Sequence, residues 1–296
     1  MSAIPAAKSS PLPRWPLLAL FAGAGCIAMA PIFVRLSEVG PTATAFWRVF
    51  LAIPVLLVWT LLERRGAKGG TSPRAWKAMV LAGLAFAADL GFWHLSVKWT
   101  SVANATLLPN LMPVYMAAIG YFFLKQRYSL RFLAGLGLAV GGAIILMGGS
   151  FTVKPEQLAG DLVAIGTAAF YCAYLLYMKQ ARQWAGTGRI MLVSAVVSGA
   201  ILLPVALAFG EQILPQTGHG WGVLLGLALF THAAGQGLIG WSLAHLPATF
   251  SAVGLLIQPV GAALIAAAML GEPLTPWTIV GGIIVLSGIL MARKGS

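Results

Sequence analysis

Ten runs of apolar residues, each about 18 to 24 residues long, alternate with short polar stretches along the chain. That is the length an α-helix needs to cross a hydrocarbon core of about 30 Å. The runs fall at about 15–36, 42–62, 76–98, 102–124, 130–149, 160–180, 190–209, 221–245, 248–270 and 275–293. The linkers are short and the tails too small to fold, so no separate soluble domain is expected. The pattern predicts an all-α, polytopic membrane protein with ten transmembrane helices.

Composition agrees with that pattern. Hydrophobic residues make up 59% of the chain and charged residues 9%, against about 25% charged in a soluble domain. So little polar surface would not cover such a chain in water, whereas lipid tails can replace the polar shell. The net charge of +12 has a simple origin in the loops. With the N-terminus in the cytoplasm, the inner segments hold Lys8, Arg14, Arg64, Arg65, Lys68, Arg74, Lys77, Lys125, Arg127, Arg131, Lys179, Arg182, Arg189, Arg293 and Lys294. The outer loops hold Arg35, Lys98 and Lys154, and Arg48 is left within the membrane. This is a positive-inside distribution. It predicts a multi-pass protein of the inner membrane with both termini cytoplasmic, and it removes the case for nucleic-acid binding, since no basic stripe lies on a soluble element. Cys26 and Cys172 lie in apolar runs and form no CxxC, so neither metal nor redox chemistry is expected.

The chain also repeats itself. "LKQRYSLRFLAGL" (124–136) and "LGEPLTPWTIVGG" (270–282) both run from a Leu through a polar turn into a Gly-containing apolar segment, 146 residues apart. At the same offset "FAADLGFW" (86–93) meets "HAAGQGLI" (232–239), and Cys26 meets Cys172, Pro113 meets Pro259, Gly135 meets Gly281 and Gly142 meets Gly288. Five helices separate the two turns. An odd number puts the cationic first turn in the cytoplasm and the uncharged second one outside, so the second unit is the first turned over. The expected organisation is a tail at 1–14, a first five-helix unit at 15–149 and an inverted second unit at 160–293. Inverted repeats in a membrane bundle point to alternating-access transport with a site between the repeats near mid-membrane.

These units, with "AFWRVFLAIPVLL" (45–57), "TSVANATLLPNLMPVYMAAIGYFFLKQRYSLRFLAGLGLAVGGAIIL" (100–146) and "ATFSAVGLLIQPVGAALIAAAMLGEPLTPWTIVGGIIVLSGILM" (248–291), resemble the drug/metabolite transporter superfamily, specifically its EamA-type ten-helix members. The resemblance covers nearly the whole chain and implies a secondary carrier. Within the superfamily the chain looks most like exporters of amino acids and metabolites, including aromatic amino acids. One departure stands out: the first turn has Gln126 where the second has Glu272.

Polar residues at membrane depth are costly and mark function. Arg48 and Asp89 fall roughly 10 to 14 Å deep at ~1.5 Å per residue, and an ion pair between them, structural or coupling, is expected. His232 and Gln236 lie one helical turn apart on the eighth run. Gln258 precedes Pro259, and Asn110 stands between Pro109 and Pro113. A proline frees a backbone carbonyl in its helix, so Pro113 and Pro259 are expected to bend the fourth and ninth helices around a cavity. Trp93, His94, Tyr171 and Tyr174 would add aromatic and imidazole walls. A free amino acid suits such a pocket, because aromatic faces attract the ammonium and amide or imidazole donors hold the carboxylate.

No GxxxxGK[ST], GxSxG or HExxH occurs, so neither P-loop nucleotide hydrolysis nor a recognisable enzyme is expected, and no cofactor or metal. The reading is a monomeric secondary transporter, working in a lipid bilayer and exporting small metabolites, with aromatic or hydrophobic amino acids first. A drug or nucleotide-sugar carrier is the alternative, and an intramembrane enzyme or a channel stands further off.

Overall fold

The computed structural model describes residues 13–64, 72–100, 102–147, 154–271 and 274–295, with the backbone alone at 64, 94, 97, 98, 102, 103, 106, 147 and 270. The described chain is all-helical, with no strand among the described residues. Eight helices there are long and apolar enough to cross a bilayer: Arg14–Arg35, Pro41–Glu63, Pro73–Trp93, Pro155–Ala181, Thr187–Ala208, Gly218–Ser242, Ala248–Met269 and Pro276–Gly295. Against the ten expected, Leu130–Leu146 is a shorter apolar helix. The remaining segment, 102–122, is divided into Val102–Leu107, a 3₁₀ turn Leu108–Leu111 and Met112–Phe122. Large apolar side chains such as Trp15, Leu62, Phe123, Leu130 and Trp277 cover the outside of the bundle, as a lipid-facing surface requires.

Local chemistry sets the ends and the breaks. Ser72 caps the Pro73–Trp99 helix, its hydroxyl accepting from the Ala75 amide at 3.2 Å, with Pro73 in the first turn. Proline takes that position readily because its missing N–H would be unpaired anyway. Within three apolar segments proline does the opposite, although Pro204 lies inside the unbroken Thr187–Ala208 helix. The chain breaks at Leu51–Ala52 ahead of Pro54, at Leu108–Leu111 ahead of Pro113, and at Leu255–Leu256 ahead of Pro259. Each proline withholds one helical hydrogen bond and crowds the carbonyl four residues back. The breaks ahead of Pro113 and Pro259 overlap at the 146-residue offset.

Glycine lets two pairs of helices touch backbone to backbone. Leu130–Met147 packs on Pro276–Gly295 so closely that a Cβ on Gly288 would stand 2.7 Å from the Gly135 carbonyl oxygen, and one on Gly142 would stand 2.9 Å from that of Gly281. The numbering rises along one helix as it falls along the other, so the two run antiparallel. Pro41–Arg64 and Thr187–Ala208 form a second antiparallel pair, with Gly188 against Thr60 and Gly199 against Val49. Here the ends cap each other: Glu63 accepts from the Gly188 amide at 2.9 Å, and Glu211 accepts from the Ala43 amide at 2.9 Å. Lipid offers little hydrophobic drive for helix association, so close backbone packing and such polar contacts must hold the bundle.

Candidate functional site

Arg48 and Asp89 belong to one cavity of about 190 Å³, walled by six of the eight spans and the broken segment 102–122 and lined mostly by apolar side chains. Its apolar wall includes Ile27, Val34, Phe86, Leu90, Met112 and Leu255. The broken segments 102–122 and 248–270 contribute Pro109, Asn110 and Pro113 on one side and Gln258 and Pro259 on the other. Helix breaks are tolerated at membrane depth where they border a cavity. Val34, just before the 36–40 connection, and Trp93, in the last turns of the Pro73–Trp99 helix, line the cavity, so it reaches toward that end of the bundle. On that face Gly160 packs on the backbone of Trp99 and Thr100, and Gly40 packs on Glu211.

Opposite charges share this space. Arg48 is 9% exposed and Asp89 8%, and each feels the other's charge. No direct ion pair joins them among the described residues. The Arg48 guanidinium carbon lies 5.9 Å from the centroid of the Phe86 ring, within reach of a cation–π contact. Several polar atoms near them lack partners among the described residues: Arg48 Nε, Gln236 Oε1 and Gln258 Nε2. The Gln236 amide donates to the Tyr171 hydroxyl at a long 3.4 Å. A buried polar atom with no partner costs about 1–3 kcal/mol, so these atoms are suited to a ligand that brings its own donors and acceptors.

The cavity brings together Arg48, Asp89, Trp93, Asn110, Tyr171, Gln236 and Gln258 with the two kinks at Pro113 and Pro259. The Trp93 indole donates to the Ala105 carbonyl at 3.1 Å, which fixes its ring in the wall. Tyr174 and His232 lie behind the wall. Tyr174 is fully buried, with its hydroxyl 3.5 Å from the Met191 sulfur. His232 is fully buried and stacks on Phe86, centroids 5.4 Å apart. It sits in a π-helical stretch, Leu227–Gln236, four residues before Gln236, and of the two only Gln236 lines the cavity. The His94 side chain and Glu272 lie outside the described residues. The sequence reading passed over Phe86, Leu90 and Thr167, yet Phe86 is three residues before Asp89 and Thr167 four before Tyr171, spacings that put each pair on one helix face.

The other described acids are mostly committed to the frame. Besides Glu63 and Glu211, Asp161 accepts from the Thr100 hydroxyl at 2.5 Å and the Asn104 amide at 2.9 Å. Glu38, in the 36–40 connection, accepts from the Thr217 hydroxyl and from the Gln216 and Thr217 amides at the start of Gly218–Ser242. Those hydrogen bonds, the Thr217 hydroxyl first, hold its carboxyl below the usual 4.5. Asp89 has no such structural duty and faces the cavity. Among the described residues no group of three or more His, Cys, Asp or Glu could hold a metal ion.

Comparison with known proteins points to a transporter. An uncharacterized transporter of Archaeoglobus fulgidus is 25% identical over 88% of this chain and 91% of its own length. A probable terminal-alkyne amino-acid exporter of Streptantibioticus cattleyicolor is 26% identical over 77% of each chain. A probable amino-acid metabolite efflux pump of Salmonella typhimurium is 24% identical over 68% of this chain and 71% of its own. A solved crystal structure superposes with a TM-score of 0.81 over 94% of this chain and 96% of that one; at 16% identity the likeness is of fold alone. The family model described as "EamA-like transporter family" matches twice, over residues 14–148 and 158–293. The chain belongs to the EamA-like transporters of the drug/metabolite transporter superfamily.

Proposed function

We propose that this multi-pass transporter exports small zwitterionic metabolites, foremost amino acids with aromatic or hydrophobic side chains, by alternating access. The observation that carries the proposal is the cavity with Arg48 and Asp89 in its wall and no direct bridge between them. A free amino acid carries a carboxylate for Arg48, an ammonium for Asp89 and a side chain for the wall of Ile27, Phe86 and Leu255. Its charges would also meet the open valences of Gln236 and Gln258. The names of the S. cattleyicolor and S. typhimurium relatives support this substrate class.

The cavity's size favours a metabolite over a drug. About 190 Å³ falls below the roughly 300–1,000 Å³ of pockets for drug-sized ligands. A nucleotide sugar would need several cations for its phosphates, and among the described residues Arg48 is the one cation lining the cavity.

In this reading the chain spans the inner membrane ten times, as a cytoplasmic tail 1–14 and two oppositely oriented five-helix units, 15–149 and 160–293, with both termini in the cytoplasm. The segments 102–122 and 130–147 are the two additional spans. Support comes from two pairs of glycines 146 apart, Gly135/Gly281 and Gly142/Gly288, whose contacts cross over: Gly135 meets Gly288 while Gly142 meets Gly281, the exchange a two-fold axis between inverted units produces. The chain acts as a monomeric carrier without a cofactor.

Counterflow in proteoliposomes tests the substrate. Labelled phenylalanine or leucine should exchange with saturation and lose to unlabelled amino acid. No saturable exchange of any amino acid would remove the proposal, and competition by a drug or nucleotide sugar alone would replace it.

A further inference from the structure

Phe86 and His232 stand 146 residues apart, at matching places in the two units. In the folded protein they meet, with ring centroids 5.4 Å apart and planes inclined by 23°. Two equivalent residues of inverted units touch each other only near the axis that relates the units. The stack therefore marks the pivot of the molecule.

The two sides of the stack differ in chemistry and in access. Phe86 lines the cavity, with Arg48 over its ring. His232 is on the far side, 0% exposed, and neither Nδ1 nor Nε2 has a partner among the described residues. An imidazole always has two ring nitrogens to satisfy, and burying both unpaired is costly. The equivalent of Arg48 repeats the pattern: Ser194 is 0% exposed and its Oγ has no partner among the described residues. Apolar residues would fill both places at no such cost if this were the protein's single resting arrangement.

Resting on the alternating-access reading above, we infer that His232 contacts the substrate in the state that opens to the cytoplasm. When the two units exchange conformations, the cavity closes on the side of Phe86 and opens on the side of His232. His232 then becomes the floor of the site, as Phe86 is here, and its ring nitrogens, together with the Ser194 hydroxyl, replace their missing partners with the substrate's donors and acceptors. The two states thus offer different chemistry to one solute: the charges of Arg48 and Asp89 toward the outside, and a neutral hydroxyl and imidazole toward the cytoplasm.

Sided labelling tests this. In a chain with Cys26 and Cys172 replaced by alanine, His232→Cys is treated with an impermeant cationic methanethiosulfonate in inside-out and right-side-out vesicles. Labelling is expected from the cytoplasmic face and lost from the outer face, with Phe86→Cys showing the reverse. His232→Cys inert from both faces, or labelled from the outside, would overturn the inference. The unsubstituted chain gives a second measurement that needs no folded variant. Diethyl pyrocarbonate should modify His232 in the folded protein, and a His232 that stays unmodified while the exposed His219 and His245 react would overturn it equally. Labelling as expected in a protein inert in amino-acid counterflow would leave the inference standing and remove the amino-acid reading of the substrate. Active counterflow with an inert His232 would do the opposite.

Discussion

Residues 146 apart in this chain fall into two groups that behave differently. Where helices cross, the two copies match: Gly135 and Gly281, Gly142 and Gly288 all give up a side chain so that the helices bearing them can touch. Around the cavity, apart from the kink prolines Pro113 and Pro259, the copies diverge: Arg48 against Ser194, Phe86 against His232, Asp89 against Gly235, Leu90 against Gln236. The frame depends on shape, and shape must be kept in both halves for them to fit. The site depends on chemistry, and one solute needs each charge once. The two turns show both rules at a single position. Lys125 (φ 53°) and Gly271 (φ 68°) both hold left-handed backbone. Glycine does so freely, while a lysine bears a penalty of about 1–2 kcal/mol. Lys125 keeps a positive charge at a turn assigned to the cytoplasm, so charge prevails over conformation there.

The largest effects should come from the divergent group. Arg48→Gln and Asp89→Asn should each weaken amino-acid binding by about 1.5–3 kcal/mol, the worth of a hydrogen bond to a charged group, or roughly 10- to 150-fold. Binding to the purified protein measures this, and affinity unchanged in both variants would break the contrast between site and frame. In the matching group, Gly281→Ala forces a methyl against the Leu146 backbone and should cost about 1–3 kcal/mol of stability. Gly141→Ala, on the same pair of helices but with nothing within 4 Å, should be neutral or stabilising by up to ~1 kcal/mol. Thermal unfolding in detergent separates the two, with flux little changed by the second.

Smaller still are the caps. Glu63→Gln and Glu211→Gln each remove a carboxylate from a helix N-terminus, and each should cost about 1 kcal/mol. Similar losses in the two variants would sharpen the comparison, since these acids serve the paired ends of one antiparallel crossing. The smallest effect belongs to Glu38, which is partly exposed. Its folded pKa lies below 4.5, so its contribution to stability is present above that pH and is lost as pH falls through the folded value. Melting curves between neutral and acid pH should show that loss in the parent chain and a reduced loss in Glu38→Gln.

Much of the frame was legible in the residues because lipid imposes a single rule: long apolar runs must be helices. The breaks ahead of Pro113 and Pro259 could be read for the same reason, since proline acts through its own backbone. What surrounds the cavity was harder to read. Asp89 and Arg48 announced themselves by their cost in lipid, but Phe86 and Leu90 did not, because an apolar residue reads the same in a cavity wall and in a packed core. Tyr174 and His232 show the converse: polar residues expected in the site lie behind its wall, and which way a helix turns is decided by its neighbours. The π-helical stretch 227–236 carries no signal of its own, and the caps from Glu63 and Glu211 join residues 125 and 168 apart, beyond the reach of local pattern.

The central claim is that the two halves face opposite sides of the membrane around one cavity. Cysteines placed in a cysteine-free chain at Lys125 and at Gly271, both exposed, test it most directly with an impermeant thiol reagent on intact cells. The account predicts that Gly271→Cys is labelled from outside, and that Lys125→Cys is labelled only once the cytoplasmic face is opened to the reagent. Both positions labelled from the same side would contradict it.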